Sequence, residues 1–500
     1  MKSHRARGDG FPQALHAEWT KFRTVRGWVA GIMVAALMVV LVALLAGASS
    51  VQHDLPAVPV GPGGEPVTDS FYFVHQLLAG NGSITVSVSA LRDSIASGPR
   101  GLQPGIVPWA KAGLIIKEST RQGSPYAAIM VTSSHGVRMQ YNYVNDTAGL
   151  PGPVSTASVR WLRLDRSGHA VTGFDSADGT HWTKVGTAHV DGLGSAVPGG
   201  LFVASPPSVQ GIGTRSSVAT AVFGDLRVQG GWLGNWTGAQ VGPESRTFSG
   251  YPPNTSGSFT EPDGSFTVTG AGDVAPAVRG TLPSGGVIAD ILTGTFAALI
   301  AVIVVGTLFI TAEYREDLIY VTLAASPRRS RVLAAKAIVL GVVTFVAGLA
   351  GAVVAVPLGE RLARANGVYL FPVTSSVQLR AELGTAALLA TASILALAAG
   401  TIFRRSAGAV TTVIVAIVLP YMLVAIPFIP AGVTDWLTRV TPAAAFAVQQ
   451  TLVPYHQVTS TYTPYNGYYP LAPWAGFAVL AGYAVLTLAV AAVLLRRRDA

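Results

Sequence analysis

The residues best placed for chemistry form a polar segment from Glu313 to Lys336, between two long apolar stretches. The segment begins with acidic side chains, continues through a short apolar core and ends with basic side chains. Opposite charges at the two ends of a short segment favour docking of a partner in one orientation, because complementary charge steers association. The side chains predicted to make this contact are Glu313, Tyr314, Arg315, Glu316, Asp317, Pro327, Arg328 and Arg329.

Patterns that mark the common catalytic sites are absent from the sequence. A phosphate-binding loop needs a glycine directly before its lysine, and no lysine of this chain follows a glycine. The glutamates of residues 49–286 are widely scattered, whereas glycoside hydrolysis needs two carboxyl groups that face each other. The chain has no cysteine, which excludes disulfides and thiolate metal sites. We therefore predict no catalytic residue, no metal and no cofactor.

The composition indicates a membrane protein. Hydrophobic residues make up 50% of the chain and charged residues only 12%, and the mean hydropathy is +0.46. An apolar helix of about 20 residues crosses a hydrocarbon core of about 30 Å. Six segments are long enough to do so, and they are predicted at residues 27–48, 287–312, 337–358, 383–403, 410–429 and 474–495.

The net charge of +9 is unevenly distributed along the chain. Residues 49–286 carry 14 Lys/Arg against 15 Asp/Glu, so the excess positive charge lies elsewhere. Basic residues concentrate before the first span, in residues 313–336, at 404–405 and at 496–498, as cytoplasmic segments do. We therefore predict a multi-pass protein of the plasma membrane, with both termini cytoplasmic and residues 49–286 extracellular. Membrane orientation thus explains the basic charge without any binding of nucleic acid.

Residues 1–26 are predicted to form a cytoplasmic arm that ends in an amphipathic helix. Leu15, Trp19, Phe22 and Val25 recur at helical spacing, and the basic residues lie off that stripe. A helix of this kind lies in the headgroup plane and contacts membrane lipid. It would act as a surface anchor alone, or as an elbow that also touches a cytoplasmic partner. The predicted elbow residues are Leu15, Glu18, Trp19, Phe22 and Arg26.

Between residues 80 and 280 the pattern changes to short alternating runs. Residues 83–89 and 137–143 alternate cleanly between apolar and polar side chains, and Gly, Pro, Asn and Asp separate the runs. This pattern predicts an antiparallel β-sandwich. Lys117 and Glu118 are expected on a surface strand, His181 in solvent, and Trp182 in the core of a structural hairpin.

Parts of this block resemble a concanavalin/laminin-G-like lectin sandwich. Residues 109–131 are similar to its first half, residues 161–182 to its second half, and residues 200–205 to the next strand. The resemblance implies a lectin-like jelly roll with a role in binding or gating rather than in catalysis.

Three other stretches resemble permeases of ATP-binding-cassette (ABC) exporters of the second type. The first is the run 17–26. The second extends from Glu313-Tyr314-Arg315 to Lys336, and the third from Pro470 to the final Leu-Arg-Arg-Arg-Asp-Ala. In this order they frame nearly all of the chain outside residues 49–286. The chain departs from the family pattern because its first external loop holds a whole sandwich, where the family usually has a short loop.

The second resemblance implies a six-span half-transporter whose residues 313–336 carry a coupling helix. Two permeases, identical or different, would assemble with two separate ATPase subunits and export a substrate that the sequence does not identify. ATP hydrolysis would take place on the partner. The implied organisation is an arm (1–26), a first transmembrane helix (27–48), an extracellular sandwich (49–286), and five transmembrane helices with an external loop at 430–473 (287–500).

Two other interpretations stay open at this level. A membrane-anchored glycan-binding or sensory protein without transport activity would also explain the sandwich, whereas an external hydrolase lacks paired carboxylates. Asp290 is a separate candidate, because an ionisable side chain inside a span is costly and is often functional.

Overall fold

The computed structural model describes residues 10–49, 57–98, 101–210, 213–242, 251–282, 285–316, 328–424, 426 and 429–498. The chain divides into two compact units. We call residues 1–55, 284–453 and 462–500 the helical unit, and residues 56–283 and 454–461 the β unit. Each unit therefore combines segments that are distant in the sequence.

Long apolar helices build the helical unit. The helix α1 (Phe11–Thr24) is separated from α2 (Arg26–Ser49) by Val25, whose backbone is extended. After the strands come a short α3 (Ile288–Ile291), a 3-10 turn (Leu292–Gly294) and α4 (Thr295–Arg315). The remaining helices are α5 (Arg329–Ala365), α6 (Ser375–Phe403), α7 (Ser406–Val424), α8 (Ala431–Val440) and α9 (Pro473–Arg498), with 3-10 segments at Pro442–Gln449 and Pro464–Asn466.

Six helical segments of the described chain are long and apolar enough to cross a membrane, by length and composition. This number confirms the six apolar segments expected from the sequence. One of them, α2, precedes the strands in the chain, and the other five follow them. Their bounds differ from the expectation, since α5 extends beyond residues 337–358 at both ends and α7 ends at Val424 rather than at 429. In α5, backbone hydrogen bonding continues past the point where the apolar sequence stops, whereas α7 ends while the sequence is still apolar, so hydropathy alone misplaces helix ends.

Glycines allow the long helices to approach one another closely. A Cβ at Gly306 of α4 would lie 2.5 Å from the carbonyl oxygen of Ser393 in α6. A Cβ at Gly351 of α5 would lie 3.0 Å from the carbonyl oxygen of Ala36 in α2. Such close contacts supply the dispersion energy that holds apolar helices together.

The β unit contains seventeen described strands. They are β1 (Val67–Asp69), β2 (Phe71–Ser97), β3 (Gly101–Pro104), β4 (Lys111–Lys117), β5 (Tyr126–Thr132), β6 (Gly136–Tyr141), β7 (Asn145–Ala148), β8 (Arg160–Ser167), β9 (Ala170–Ser176), β10 (Thr183–His189), β11 (Ala196–Ala204), β12 (Ser208–Gln210), β13 (Gly213–Arg215), β14 (Ser217–Val241), β15 (Ser258–Thr260), β16 (Phe266–Gly270) and β17 (Val274–Pro276).

Hydrogen bonds join thirteen strands into one antiparallel sheet. Its main path is β10-β9-β8-β2-β11-β4-β5-β6-β7, and β14 pairs with both β2 and β16. The strand β5 also packs against β8 and β9, which are not its hydrogen-bonded neighbours, so the sheet folds back over a core. The expected antiparallel architecture is confirmed, but its layers are continuous rather than separate. The ladder between the long strands β2 and β14 has several register shifts, and irregularities of this kind bend strands.

The hairpin around Asp178 differs from the expectation in one residue. Asp178 accepts hydrogen bonds from the N–H groups of Thr180 and His181, both at 2.8 Å, and the His181 side chain is 92% exposed, as expected. Trp182 is only half-buried, so its expected place in the core was wrong. It lies just before β10, outside the alternation that turns side chains inward. Trp161 packs against the turn instead, where a Cβ at Gly179 would lie 2.7 Å from its ring.

A second core covers the other face of β2, β11, β4 and β5. It contains large apolar side chains such as Phe71, Phe202 and Tyr126. Lys117 at the end of β4 is fully buried beside it, so the expectation of a surface position was wrong for this residue. Asp69 of β1 lies next to Lys117 and balances its charge, which no local pattern around Lys117 could have indicated.

Gly113 offers a test of this packing, because it lies in β4 between β5 and β11. A Cβ there would lie 2.6 Å from the Cα of Met130, so the backbone must move to accept a methyl group. We expect Gly113→Ala to destabilise the β unit by about 1–3 kcal/mol, seen as faster amide hydrogen exchange in β4 and β5. The control is Gly213→Ala, whose Cβ would meet no atom within 4 Å. Equal exchange in the two variants would contradict the prediction.

Candidate functional site

Four charged side chains from three helices form a closed arrangement in the helical unit, which we call the charge ring. Lys336 Nζ of α5 lies 2.7 Å from Glu18 Oε2 of α1 and 2.7 Å from Glu313 Oε1 of α4. Lys21 Nζ of α1 lies 3.0 Å from Glu313 Oε1 and 3.3 Å from Glu18 Oε1. Each cation therefore contacts both carboxylates, and the formal charges of the ring cancel.

Most of the charge ring is closed to water. Lys336 is fully buried, and Glu18 and Glu313 are 3% and 5% exposed. Removing such charges from water costs several kcal/mol per ion, so they are stable only when they are paired. Lys21 lies on the more open side, with its side chain 36% exposed. Burial lowers the pKa of Lys21, but the neighbouring Glu18 and Glu313 carboxylates outweigh this effect and raise it, so Lys21 stays protonated.

Aromatic rings border the charge ring. Phe309 of α4 lies 4.9 Å from Trp28 and 5.8 Å from Phe22, measured between ring centroids. Lys336 Nζ lies 4.6 Å from the centroid of Phe309, which is a cation–π distance. An apolar border lowers the local dielectric constant and thereby strengthens the ion pairs beside it.

Local sequence places each member of the charge ring. Glu18, Lys21 and Phe22 are three and four positions apart, so they share one face of α1. Glu313 lies in the last turn of α4, and Lys336 lies in the second turn of α5. The ring therefore joins α1 to both helices that flank the predicted docking segment.

Three of the predicted docking residues turn toward the protein. Glu313 belongs to the charge ring, so its carboxylate serves an internal contact. Tyr314 is half-buried, and the guanidinium of Arg404 lies 5.3 Å from its ring centroid. Arg329 Nη1 donates a hydrogen bond of 3.0 Å to the carbonyl oxygen of Leu495 in α9.

Three others turn outward. Arg315 and Glu316 have side chains that are 79% and 58% exposed, and they form a loose pair at 3.5 Å. Arg328 is also exposed. Asp317 and Pro327 lie outside the described residues. Among the predicted docking residues that the structure describes, the exposed charges are therefore those of Arg315, Glu316 and Arg328.

The elbow residues also divide between inside and outside. Phe22 and Glu18 are buried, Leu15 is half-buried, and Trp19 is 44% exposed. Arg26 is exposed and begins α2. Glu18 was predicted as an elbow residue, but its burial and its pairing with two lysines were not predicted. The available signal was the Glu18–Lys21 spacing beside Phe22, together with a lone lysine, Lys336, at the start of an apolar helix.

Asp290 caps a helix. Its Oδ2 accepts a hydrogen bond of 2.9 Å from the N–H of Val287, directly before α3. This contact satisfies one of the amide groups that every helix start leaves unpaired, and it gives Asp290 a structural role. Within the described residues, no group of three or more His, Cys, Asp and Glu side chains is arranged to hold a metal ion.

Comparison with known proteins adds little to this picture. No family model and no curated protein matches the chain. A functionally unknown protein from Saccharomyces cerevisiae matches at 15% identity and a TM-score of 0.24, with 36% of this chain and 84% of that chain covered. Scytalido-glutamic peptidase matches at 8% identity and a TM-score of 0.26, with 40% and 98% covered. The alginate lyase from Klebsiella pneumoniae matches at 12% identity and a TM-score of 0.19, with 31% and 61% covered. TM-scores this low indicate neither a shared fold nor a shared function.

Replacing Lys336 tests the charge ring. The variant Lys336→Met keeps an unbranched apolar stem but leaves two buried carboxylates, Glu18 and Glu313, with only the partly exposed Lys21 as their cation. We expect a loss of about 3–5 kcal/mol, seen as a lower unfolding temperature and faster hydrogen exchange in α1. Adding Glu313→Gln removes the one negative charge that Lys21 does not balance and should restore part of the loss.

The control for this prediction is Arg315→Ala, two residues from Glu313 and outside the ring. Its side chain is 79% exposed, so we expect a change within about 0.5 kcal/mol. A similar small change for Lys336→Met would mean that the buried ring contributes nothing to stability.

Proposed function

We propose that the chain is the membrane-spanning permease subunit of an ABC exporter, coupled to a separate ATPase subunit. The observation that supports this most is the position of the charge ring. It joins α1 to the end of α4 and to the start of α5, the two helices that flank the segment predicted to dock. A docking segment whose two ends are held by the charge ring moves together with three helices. A segment attached only through its backbone would bend when a partner moved, and the helices would stay in place.

Buried and exposed charges in the docking region have different roles in the proposed permease. The buried charges of Glu313 and Lys336 act within the protein and transmit force. The exposed charges of Arg315, Glu316 and Arg328 are available to the ATPase, where they would orient its approach.

The side chains that line α2 support a membrane setting. Met33, Leu37, Leu41 and Leu45 recur every four residues and are 48–64% exposed. An apolar stripe of this length is costly in water but is expected where a helix faces lipid. We therefore keep the predicted orientation, with both termini cytoplasmic and the β unit extracellular, as part of the proposal.

For the β unit we propose recognition of the substrate or of the cell envelope. It has an open cavity of about 400 Å³, lined by residues that include His75, Glu118, Pro198, Asn235 and Thr237. Burial lowers the pKa of His75, so its ring is neutral at pH 7 and can accept as well as donate a hydrogen bond. Mixed polar groups beside apolar surface suit a neutral ligand rich in hydroxyl groups. This cavity also favours the second candidate function, an anchored glycan-binding or sensory protein.

Purification with an ATP-binding partner tests the transporter proposal. We expect a nucleotide-binding ATPase to co-purify with the tagged chain in mild detergent and to be lost from the double variant Arg315→Glu, Arg328→Glu. The matched control is Arg361→Glu, an exposed arginine near the other end of α5, which should retain the ATPase. If the folded native chain brings no ATPase with it, the transporter proposal fails and the anchored binding protein becomes the better account.

Single introduced cysteines test the orientation, because the native chain has none. We expect Lys184→Cys in the β unit to react in intact cells with a maleimide that does not cross membranes. Arg315→Cys should react only after the membrane is permeabilised. Both positions are exposed, so burial cannot explain a difference between them. Equal labelling of the two in intact cells would contradict the predicted orientation.

A further inference from the structure

Lys117 and Asp69 form an ion pair that has no contact with solvent. Lys117 Nζ lies 2.8 Å from Asp69 Oδ2, and neither side chain has exposed surface. The pair joins the end of β4 to the end of β1, across a separation of 48 residues. The rings of Tyr126 and Tyr143 lie 5.8 Å and 5.6 Å from Nζ and help to enclose the pair.

The two oxygens of Asp69 have different surroundings. Oδ2 accepts hydrogen bonds from the N–H of Gly123 at 2.8 Å and from the O–H of Tyr143 at 2.7 Å. Oδ1 is buried and has no hydrogen-bond partner among the described residues. An ordinary buried carboxylate is most stable when both oxygens are satisfied. Besides the Lys117 ammonium, Oδ2 thus receives two donors, whereas Oδ1 receives none from the described part of the chain, and two fixed donors on one oxygen can stabilise the oxyanion of an acyl transfer.

The environment also favours Lys117 as a nucleophile. Burial lowers the pKa of Lys117, although the Asp69 carboxylate opposes this effect. A desolvated lysine in its neutral form is a good nucleophile toward a carbonyl carbon. Lys117 Nζ also contacts the carbonyl oxygen of Ser124 at 2.9 Å, which limits its motion beside Asp69.

We propose that Lys117 and Asp69 join to form an intramolecular amide cross-link. The reaction starts from the neutral pair, after one proton has moved from Nζ to the carboxyl group and resides on Oδ1, the oxygen that no other donor of the described residues contacts. The Nζ lone pair forms a bond to Asp69 Cγ, and the negative charge that develops on Oδ2 is held by Gly123 N–H and Tyr143 O–H. Collapse of this intermediate breaks the Cγ–Oδ1 bond. Oδ1 leaves as water, with the proton that it already carries and one proton from the nitrogen, so the reaction needs no oxidant or co-reactant.

A second buried pair at the other end of β4 provides an internal comparison. Lys111 Nζ lies 2.6 Å from Asp273 Oδ1 and 2.9 Å from the carbonyl oxygen of Val274. The N–H of Val274 donates to the same Asp273 oxygen at 2.8 Å, and no phenol takes part among the described contacts. Asp273 therefore has fewer donors than Asp69 to stabilise an oxyanion. Because of this difference, we expect Lys111 and Asp273 to remain an ion pair.

The cross-link stabilises the β unit against unfolding. The β unit contains no cysteine, so no disulfide restricts the conformations of its unfolded chain. An amide between β1 and β4 closes a loop in the same way and reduces the entropy of the unfolded state. Unlike a disulfide, it resists reduction. The inference is independent of the proposed transport function.

Mass spectrometry of the purified full-length chain tests the proposal directly. We expect the intact mass to be lower than the sequence mass by one water, about 18 Da. Trypsin should cut after Lys111 but not after Lys117, and a branched peptide should connect Lys117 to the segment that contains Asp69. A native chain with the full sequence mass and normal cleavage after Lys117, in protein whose β4 and β5 amides are protected from exchange, would overturn the proposal.

Variants separate the chemistry from simple packing. Asp69→Ala should abolish the loss of water, whereas the matched variant Asp273→Ala should retain it. Tyr143→Phe keeps the ring but removes one of the two donors, so cross-linking in freshly made protein should be roughly 100-fold slower. Loss of water that persists in Asp69→Ala would place the modification elsewhere and would also overturn the proposal.

Discussion

A lysine ammonium is stable in an apolar interior only with a carboxylate beside it. Desolvating an isolated charge costs more free energy than the packing of its side chain contributes. Lys111, Lys117 and Lys336 are all fully buried, and each is paired with at least one acid. Each pair fixes the distance between elements that are far apart in the sequence. These contacts therefore determine much of the packing around β4 in the β unit and around α1, α4 and α5 in the helical unit.

In the helical unit, the constraint determines how α1 relates to the long helices. Lys336 needs more than one acceptor, and Glu18 and Glu313 supply them from two different helices. The partly exposed Lys21 balances the second negative charge. A four-membered arrangement tolerates little relative movement of α1, α4 and α5, because displacement of any one helix leaves a buried charge unpaired. In the proposed permease, this rigidity at Glu313 and Lys336 is what would let a docked partner move the three helices together.

In the β unit, the same constraint has two different outcomes at the two ends of β4. Both lysines meet an aspartate, and both pairs are shielded from water. The surroundings of the acid differ. Besides its lysine, Asp69 Oδ2 receives two donors, whereas Asp273 Oδ1 receives a single backbone N–H. The first environment stabilises a tetrahedral intermediate, whereas the second stabilises an ion pair. Small differences in donor geometry thus separate a structural contact from a reactive one.

Hydropathy and alternation determined the coarse architecture of this protein. Six apolar stretches predicted six long helices, and period-two runs with turn residues between them predicted an antiparallel β region, because both patterns are local consequences of backbone geometry. The candidate docking segment was also found in this way, from its composition.

Only the tertiary structure decided which charges face inward. Lys336 and Glu18 are separated by 318 residues, and Lys21 and Glu313 by 292. No local pattern encodes such a pair, so Glu313 was interpreted as a docking charge and Lys117 as a surface residue. A charged residue is the same in the sequence whether its side chain contacts water or an oppositely charged side chain in the interior. Only the fold brings the two side chains of such a pair together.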